Sequence, residues 1–98
     1  MAIHIDPDRN EVRALEGVTD WRGRRVLEIG CGDGRLTLRL ARLGARVHAV
    51  DPDAEAVDDA RRNLPSRYAG RVRFEVGTAE RLGVASAAFD LAVFAWSL

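Results

Sequence analysis

Between residues 26 and 36 the chain reads Val-Leu-Glu-Ile-Gly-Cys-Gly-Asp-Gly-Arg-Leu, and no other stretch constrains the fold as tightly. A short apolar run carrying one acid, Glu28, gives way to glycines at 30, 32 and 34, and leucines at helical spacing follow at once. Such a succession predicts a strand that turns sharply into a helix. Glycine allows the unusual dihedrals of that turn and lets main chain approach a ligand where a Cβ would collide. The helix beyond it aims unpaired N–H groups at whatever rests on the turn. The expectation is a cradle for a nucleotide-type ligand.

Spacing narrows the choice. The pattern is Glu-x-Gly-x-Gly-x-Gly, whereas the dinucleotide fingerprint Gly-x-Gly-x-x-Gly would place its third glycine at position 35, where Arg35 stands. The acid within the strand and the displaced glycine resemble motif I of the class I S-adenosylmethionine-dependent methyltransferases. Three later segments fit the same order. Val47-His48-Ala49-Val50 ends in Asp51-Pro52-Asp53, with Asp51 lying 21 positions after Gly30. An acid about 20 positions past the first glycine, at the tip of the second strand, reaches a ribose diol. Val72 to Val76 alternates as a third strand and leads into Gly77-Thr78-Ala79-Glu80-Arg81-Leu82. Residues 89–96 read as a fourth, mostly buried strand. The resemblance covers nearly the whole chain from about residue 6.

The predicted fold is α/β: a Rossmann-like three-layer αβα arrangement with a parallel sheet of order 3-2-1-4. Strands are expected over 25–29, 45–50, 71–76 and 90–95. Asp33 is expected to cap the first core helix, with Leu36, Leu40 and Leu43 inward and Arg35, Arg39 and Arg42 in water. Asp53 caps the second, where Ala56, Val57, Ala60 and Leu64 face inward and Pro65 stops it. A turn of helix is expected over 79–82. Before the core, Asp8 or Asn10 caps a short helix through Leu15, closed by Gly17, with Val12, Leu15 and Val18 as its inward stripe. The division is a single partial domain over 1–98, with an N-terminal helical segment over 1–20 and the core over 24–98.

Composition excludes more than it selects. With 15 arginines against 15 acids and no lysine, the formal net charge is zero, which gives no electrostatic argument for nucleic acid or an anionic membrane. Trp21-Arg22-Gly23-Arg24-Arg25 reads as a solvated turn feeding the first strand. No apolar run approaches the ~20 residues of a membrane span, and the first residues lack signal-peptide character. The one cysteine, Cys31, fits a reducing cytoplasm. It reads as a small side chain in a turn whose contacts are made by backbone. His4 and His48 have no metal-ligand spacing around them, and His48 reads as a packing residue on a strand face.

The resemblance implies S-adenosylmethionine as cofactor and S-adenosylhomocysteine as product. Asp51, followed by Pro52, takes the ribose; the competing role, a helix N-cap, suits Asp53 better. The N–H of Ala79 donates to adenine N1. The family often has an aspartate at the position of Thr78, whose uncharged hydroxyl would take N6. The methionine tail lies over Gly30, Cys31, Gly32 and Gly34. Glu28 meets the tail's ammonium directly or through water, or else pairs with Arg24 or Arg25. The carbonyl of Ala95 accepts from the same ammonium. No general base is nominated.

The family's sheet has seven strands, 3-2-1-4-5-7-6, and this sequence carries four of them. Three readings follow. In the first, the chain is the cofactor-binding half of an enzyme that methylates an unidentified, small-molecule acceptor. In the second, it is a non-catalytic cofactor-binding or interaction half-domain completed by another chain. Here strand four, Asp90 to Ala95, becomes an exposed edge through which a homodimer forms. The third, a nicotinamide-dependent dehydrogenase domain, is disfavoured by Arg35 and by Gly77-Thr78-Ala79-Glu80.

Overall fold

The computed structural model describes residues 2–5, 17–83 and 88–95. Five strands form one sheet: β1 (Ala2–Ile5), β2 (Arg25–Ile29), β3 (Arg46–Asp51), β4 (Val72–Val76) and β5 (Leu91–Ala95). Two helices, α1 (Arg35–Arg42) and α2 (Ala54–Asn63), connect β2 to β3 and β3 to β4. The order is β1-β5-β2-β3-β4 with every pairing parallel. The four expected strands therefore lie in the expected order.

Alternation sets the layers. Val26, Glu28, Val47, Ala49, Val72, Phe74, Leu91 and Val93 share one face through the register of their strands. Against that face α1 packs Leu36, Leu40 and Ala41, and α2 packs Val57 and Ala60. Each large aliphatic side chain buried this way contributes about 1.5–3 kcal/mol. The arginines of α1 at 35, 39 and 42 are exposed, as its pattern requires. The opposite face carries buried Leu27 and Val50 and half-buried His48, with Phe89 tilted against His48 at a ring separation of 5.9 Å. Both α-helices among the described residues lie on the first face.

Helix ends follow local chemistry. Asp53 accepts the N–H groups of Glu55 and Ala56 and caps α2 as expected. At α1 the N-cap is Gly34 in the left-handed region, not Asp33. Asp33 sits one residue earlier, and its carboxylate takes the main-chain N–H and the side-chain Nε of Arg35. Past α1, the N–H of Gly44 bonds the carbonyl of Ala41 and that of Ala45 bonds Leu40, a Schellman closure. Over residues 79–82 the N–H of Leu82 bonds the Thr78 carbonyl, a single helical turn that does not continue.

Three expectations are corrected. Strand four is not an edge: Ala2–Ile5 pairs with it in register from Ala2 on Ala92 to Ile5 on Ala95. Its main-chain groups on that side are met within the chain, which removes the premise for a homodimer through Asp90 to Ala95. Val18 is 40% exposed and belongs to no inward stripe; Val12 and Leu15 lie outside the described residues. Trp21 is buried in the core, while Arg22, Gly23, Arg24 and Arg25 form the expected solvated turn. There Arg22 pairs with Asp20, and Arg25 with Asp90.

Gly34 seats α1 on the rest of the fold. A Cβ there would stand 3.0 Å from the Cβ of Ala60 and 3.3 Å from the ring of Phe74, at a φ of +87°. A left-handed non-glycine residue alone costs about 1–3 kcal/mol, and the collision adds to it. Gly34→Val is therefore expected to lower unfolding free energy by at least ~2 kcal/mol in urea titration.

Candidate functional site

The sheet changes direction between β2 and β5. From β2 the chain steps outward through β3 to β4, then returns to place β5 on the other side of β2. Open parallel sheets bind ligands in the crevice beyond the carboxyl ends of strands at such a switch point. Here that crevice holds the glycine loop. A cavity of about 210 Å3 is lined by Gly30, Cys31, Gly32, Asp33, Arg35, Leu36 and Ala95. A Cβ on Gly30 would come within 3.0 Å of the Ala95 carbonyl oxygen. Bare main chain is what lets the loop and the end of β5 meet.

Asp51, at the carboxyl end of β3, braces this loop. Its Oδ2 accepts the N–H of Gly32 at 2.9 Å and its Oδ1 that of Asp53 at 2.8 Å. The carboxylate is thus turned toward the loop rather than away from it. Gly30 and Cys31 both donate to the carbonyl of Val50, at 2.9 and 3.2 Å. The carbonyl of Asp51 in turn accepts the N–H of Gly77 at 2.9 Å, which draws the segment after β4 to the same end of the sheet. The N–H of Ala79 donates to no acceptor among the described residues. Thr78 is exposed, and its Oγ1 accepts the N–H of Arg81 at 3.2 Å. Pro52 is exposed beside Asp51.

Two predicted site residues stand apart from the crevice wall. Gly34 faces α2 and β4, so its lack of a side chain serves packing. Glu28 is fully buried beneath the loop. Neither Arg24 nor Arg25 pairs with it: Arg24 bonds the Asp20 carbonyl and Arg25 bonds Asp90. Its Oε1 instead accepts a hydrogen bond from Thr37 Oγ1, and its Oε2 has no partner among the described residues. Burial pushes the Glu28 carboxyl up to about 7, against the Thr37 hydrogen bond, and nearby Asp51 raises it further. The sequence gives no direct signal for Thr37, apart from a polar residue falling on the inward side of an apolar helix face.

Cys31 is buried, with its thiol 3.8 Å from the Gly32 carbonyl. Burial pushes it up to about 12, aided by Glu28 and Asp51, so it is no nucleophile. His48 packs as expected and also bonds Glu75 Oε1 through Nε2 at 2.7 Å. A larger cavity, about 480 Å3, opens around the amino ends of β2 to β4 between Arg25, Arg46, His48, Arg71, Arg73 and Phe89. It lies at the opposite end of the strands from the glycine loop. Among the described residues no cluster of His, Cys, Asp and Glu could hold a metal. None of their helices is long and apolar enough to cross a membrane.

An open parallel sheet with a glycine loop at its switch point and an acid on the adjoining strand defines a Rossmann-like ligand-binding domain. Within that class, the chain belongs to the methyltransferase domain family, whose profile matches residues 26–98. It is 47% identical over 58 residues to a magnesium-protoporphyrin O-methyltransferase of Rhodobacter capsulatus, covering 59% of this chain and 26% of that protein. Identity is 40% over 83 residues with a ubiquinone biosynthesis O-methyltransferase of Methylocella silvestris, covering 85% and 30%. The fold superposes with a TM-score of 0.74 and 25% identity on a SAM-dependent methyltransferase of Thiobacillus denitrificans solved with S-adenosyl-L-homocysteine, covering 91% of this chain and 37% of that one. The chain spans less than a third of the length of these curated relatives.

The buried carboxyl sets a pH dependence. The folded chain holds the Glu28 proton up to about pH 7, while the unfolded chain releases it near 4.5. Between those values the native state binds more protons, so raising pH removes stability. Urea unfolding from pH 4.5 to 8 should show this decline, and Glu28→Gln should abolish its share, on the order of 3 kcal/mol. In the native chain at pH 8, Cys31 should react with a thiol reagent far more slowly than after denaturation.

Proposed function

We propose that this chain is the cofactor-binding portion of an S-adenosylmethionine-dependent methyltransferase, with residues 24–98 as the core of one partial domain. The observation that carries the reading is the Asp51 carboxylate bonded to the bare loop at Gly32. It supports Asp51 as the ribose-binding acid, beside main chain that an amino-acid tail can approach. Two further features support the fit. The Gly30 position tolerates no side chain against Ala95, and a buried carboxylate oxygen on Glu28 lacks a partner among the described residues. A cationic ammonium supplies what that oxygen lacks.

In this reading Asp51 keeps lone pairs for a ribose diol while holding its two N–H groups, because a carboxylate offers about four acceptor sites. The main chain of Gly30, Cys31 and Gly32 receives the methionine tail. Its ammonium is shared by the Ala95 carbonyl and, from beneath, by Glu28. The N–H of Ala79, without an acceptor among the described residues, suits adenine N1. The Thr78 hydroxyl, already accepting from Arg81, is the weaker partner for N6. Pro52 flanks the ribose. Gly34 acts at one remove, by seating α1.

The cofactor, when bound, supplies an activated methyl group on its sulfonium sulfur. The protein's part is then to position two reactants and exclude water. The acceptor proposed is a small molecule, supported by relatives named for magnesium-protoporphyrin and for ubiquinone biosynthesis. A cytoplasmic location is proposed with it, since the free thiol of Cys31 suits a reducing compartment.

Calorimetric titration of the 98-residue chain with S-adenosylhomocysteine should show binding where NAD shows none; the reverse result removes the reading. Asp51→Asn should weaken binding about tenfold, as expected for losing a charge-assisted hydrogen bond. An analogue without the ribose hydroxyls should lose less affinity from the substitution than S-adenosylhomocysteine does.

A further inference from the structure

Thr37 is completely buried in the first turn of α1. A β-branched residue is no asset to a helix, and a helical threonine ordinarily bonds a carbonyl of its own preceding turn. This one donates instead to Glu28 Oε1 on β2. The two residues flank the glycine loop, one before it and one after, so their bond spans the loop from below. Glu28 Oε2 is the one buried side-chain polar atom without a partner among the described residues.

The surroundings of Glu28 are sparse in charge. On β3 it stands beside Ala49, with Asp51 further along; on β5 it stands beside Val93. The loop contributes Cys31, and α1 contributes Thr37. Asp51 opposes ionisation of Glu28, and Thr37 is the group that favours it. Because Thr37 donates to Oε1, a proton held by Glu28 resides on Oε2, where it finds no acceptor.

Resting on the cofactor reading above, we propose that Thr37 is a positioning residue. It fixes one oxygen of Glu28 under the glycine loop and leaves the other for the ligand's ammonium, so that binding drives the Glu28 proton into solvent. Balance is simple: the neutral acid and a cationic ligand become a carboxylate–ammonium pair and one released proton.

The test compares the wild-type chain with Thr37→Val and Thr37→Ser. S-adenosylhomocysteine is titrated calorimetrically from pH 6 to 8.5 in phosphate and in Tris, whose different ionisation heats report proton release. The wild type should release up to one proton per ligand at pH 6 and almost none at the alkaline end. Thr37→Val should weaken binding about tenfold at pH 7 and move the midpoint of its pH dependence up by about one unit, the loss expected for one hydrogen bond to a charged group. Thr37→Ser should restore both. An equal loss of affinity at every pH, or none, overturns the proposal. A second arm needs no ligand: the carbon-13 shift of the Glu28 carboxyl is followed against pH in each chain. The midpoint should rise in Thr37→Val and return in Thr37→Ser; coincident midpoints overturn the role. Should wild type bind no S-adenosylhomocysteine, the cofactor reading fails while this arm still judges Thr37. If the valine variant does not fold, Thr37→Cys, a weaker donor of similar size, should shift the midpoint the same way, and no shift is the overturning result.

Discussion

The turn from β2 into α1 admits no side chain on either flank. On one flank, a Cβ at Gly30 would stand 3.0 Å from the Ala95 carbonyl oxygen, and on the other a Cβ at Gly34 would meet Ala60 and Phe74. The first contact lets β5 lie beside β2 at the carboxyl end, and the second brings α1 down onto α2 and β4. With α1 seated, Thr37 reaches Glu28, Leu36 and Leu40 enter the core, and the N–H of Gly32 falls to Asp51. Remove the bare main chain and these arrangements lose their common anchor. The same nakedness that permits packing below leaves the upper side of the loop open to a ligand.

Two carboxyl groups meet this loop in opposite circumstances. Asp51 receives two main-chain N–H groups and serves as a brace. Glu28 receives one hydroxyl, is sealed from water and retains a bare oxygen, so burial favours its neutral form. An acid kept neutral in this way is destabilised by rising pH in the free protein and relieved by a cation. One acid is thus stabilised as a carboxylate by main-chain donors, and the other is held neutral by burial. The more voluminous hollow, ringed by arginines and Phe89, lies at the far end of the strands. Two of those arginines are already matched, Arg25 by Asp90 and Arg73 by Glu75.

The sheet's composition also explains why β5 accepts a further strand. Its residues alternate between buried and half-buried, and it lies next to the central β2. Main-chain groups on its other side need partners, and Ala2–Ile5 provides them in parallel. Nothing in the hydropathy of Ala2 to Ile5 specifies that pairing. Four residues of mixed character are too few to show a period, so this strand was not legible, and the edge inferred for strand four was wrong in consequence.

Local chemistry made much of the rest readable. The strands over 25–29 and 72–76, the capping of α2 by Asp53, the wet arginine face of α1 and the order of the core strands all follow from periodicity, turn residues and loop spacing. Each of those depends on residues near one another in the chain. The acid of the strand, Glu28, was recognisable as one in need of a partner, yet three candidates were open: Arg24, Arg25 or a ligand. Folding excluded the arginines by giving them Asp20 and Asp90, and added Thr37, nine positions on, through helix rotation that spacing does not fix. Likewise the glycines announced a bare loop, but which of them faces a crevice and which faces a helix depended on where α2 and β5 came to rest. Sequence settles what the backbone is permitted to do; only long-range packing settles which group it then meets.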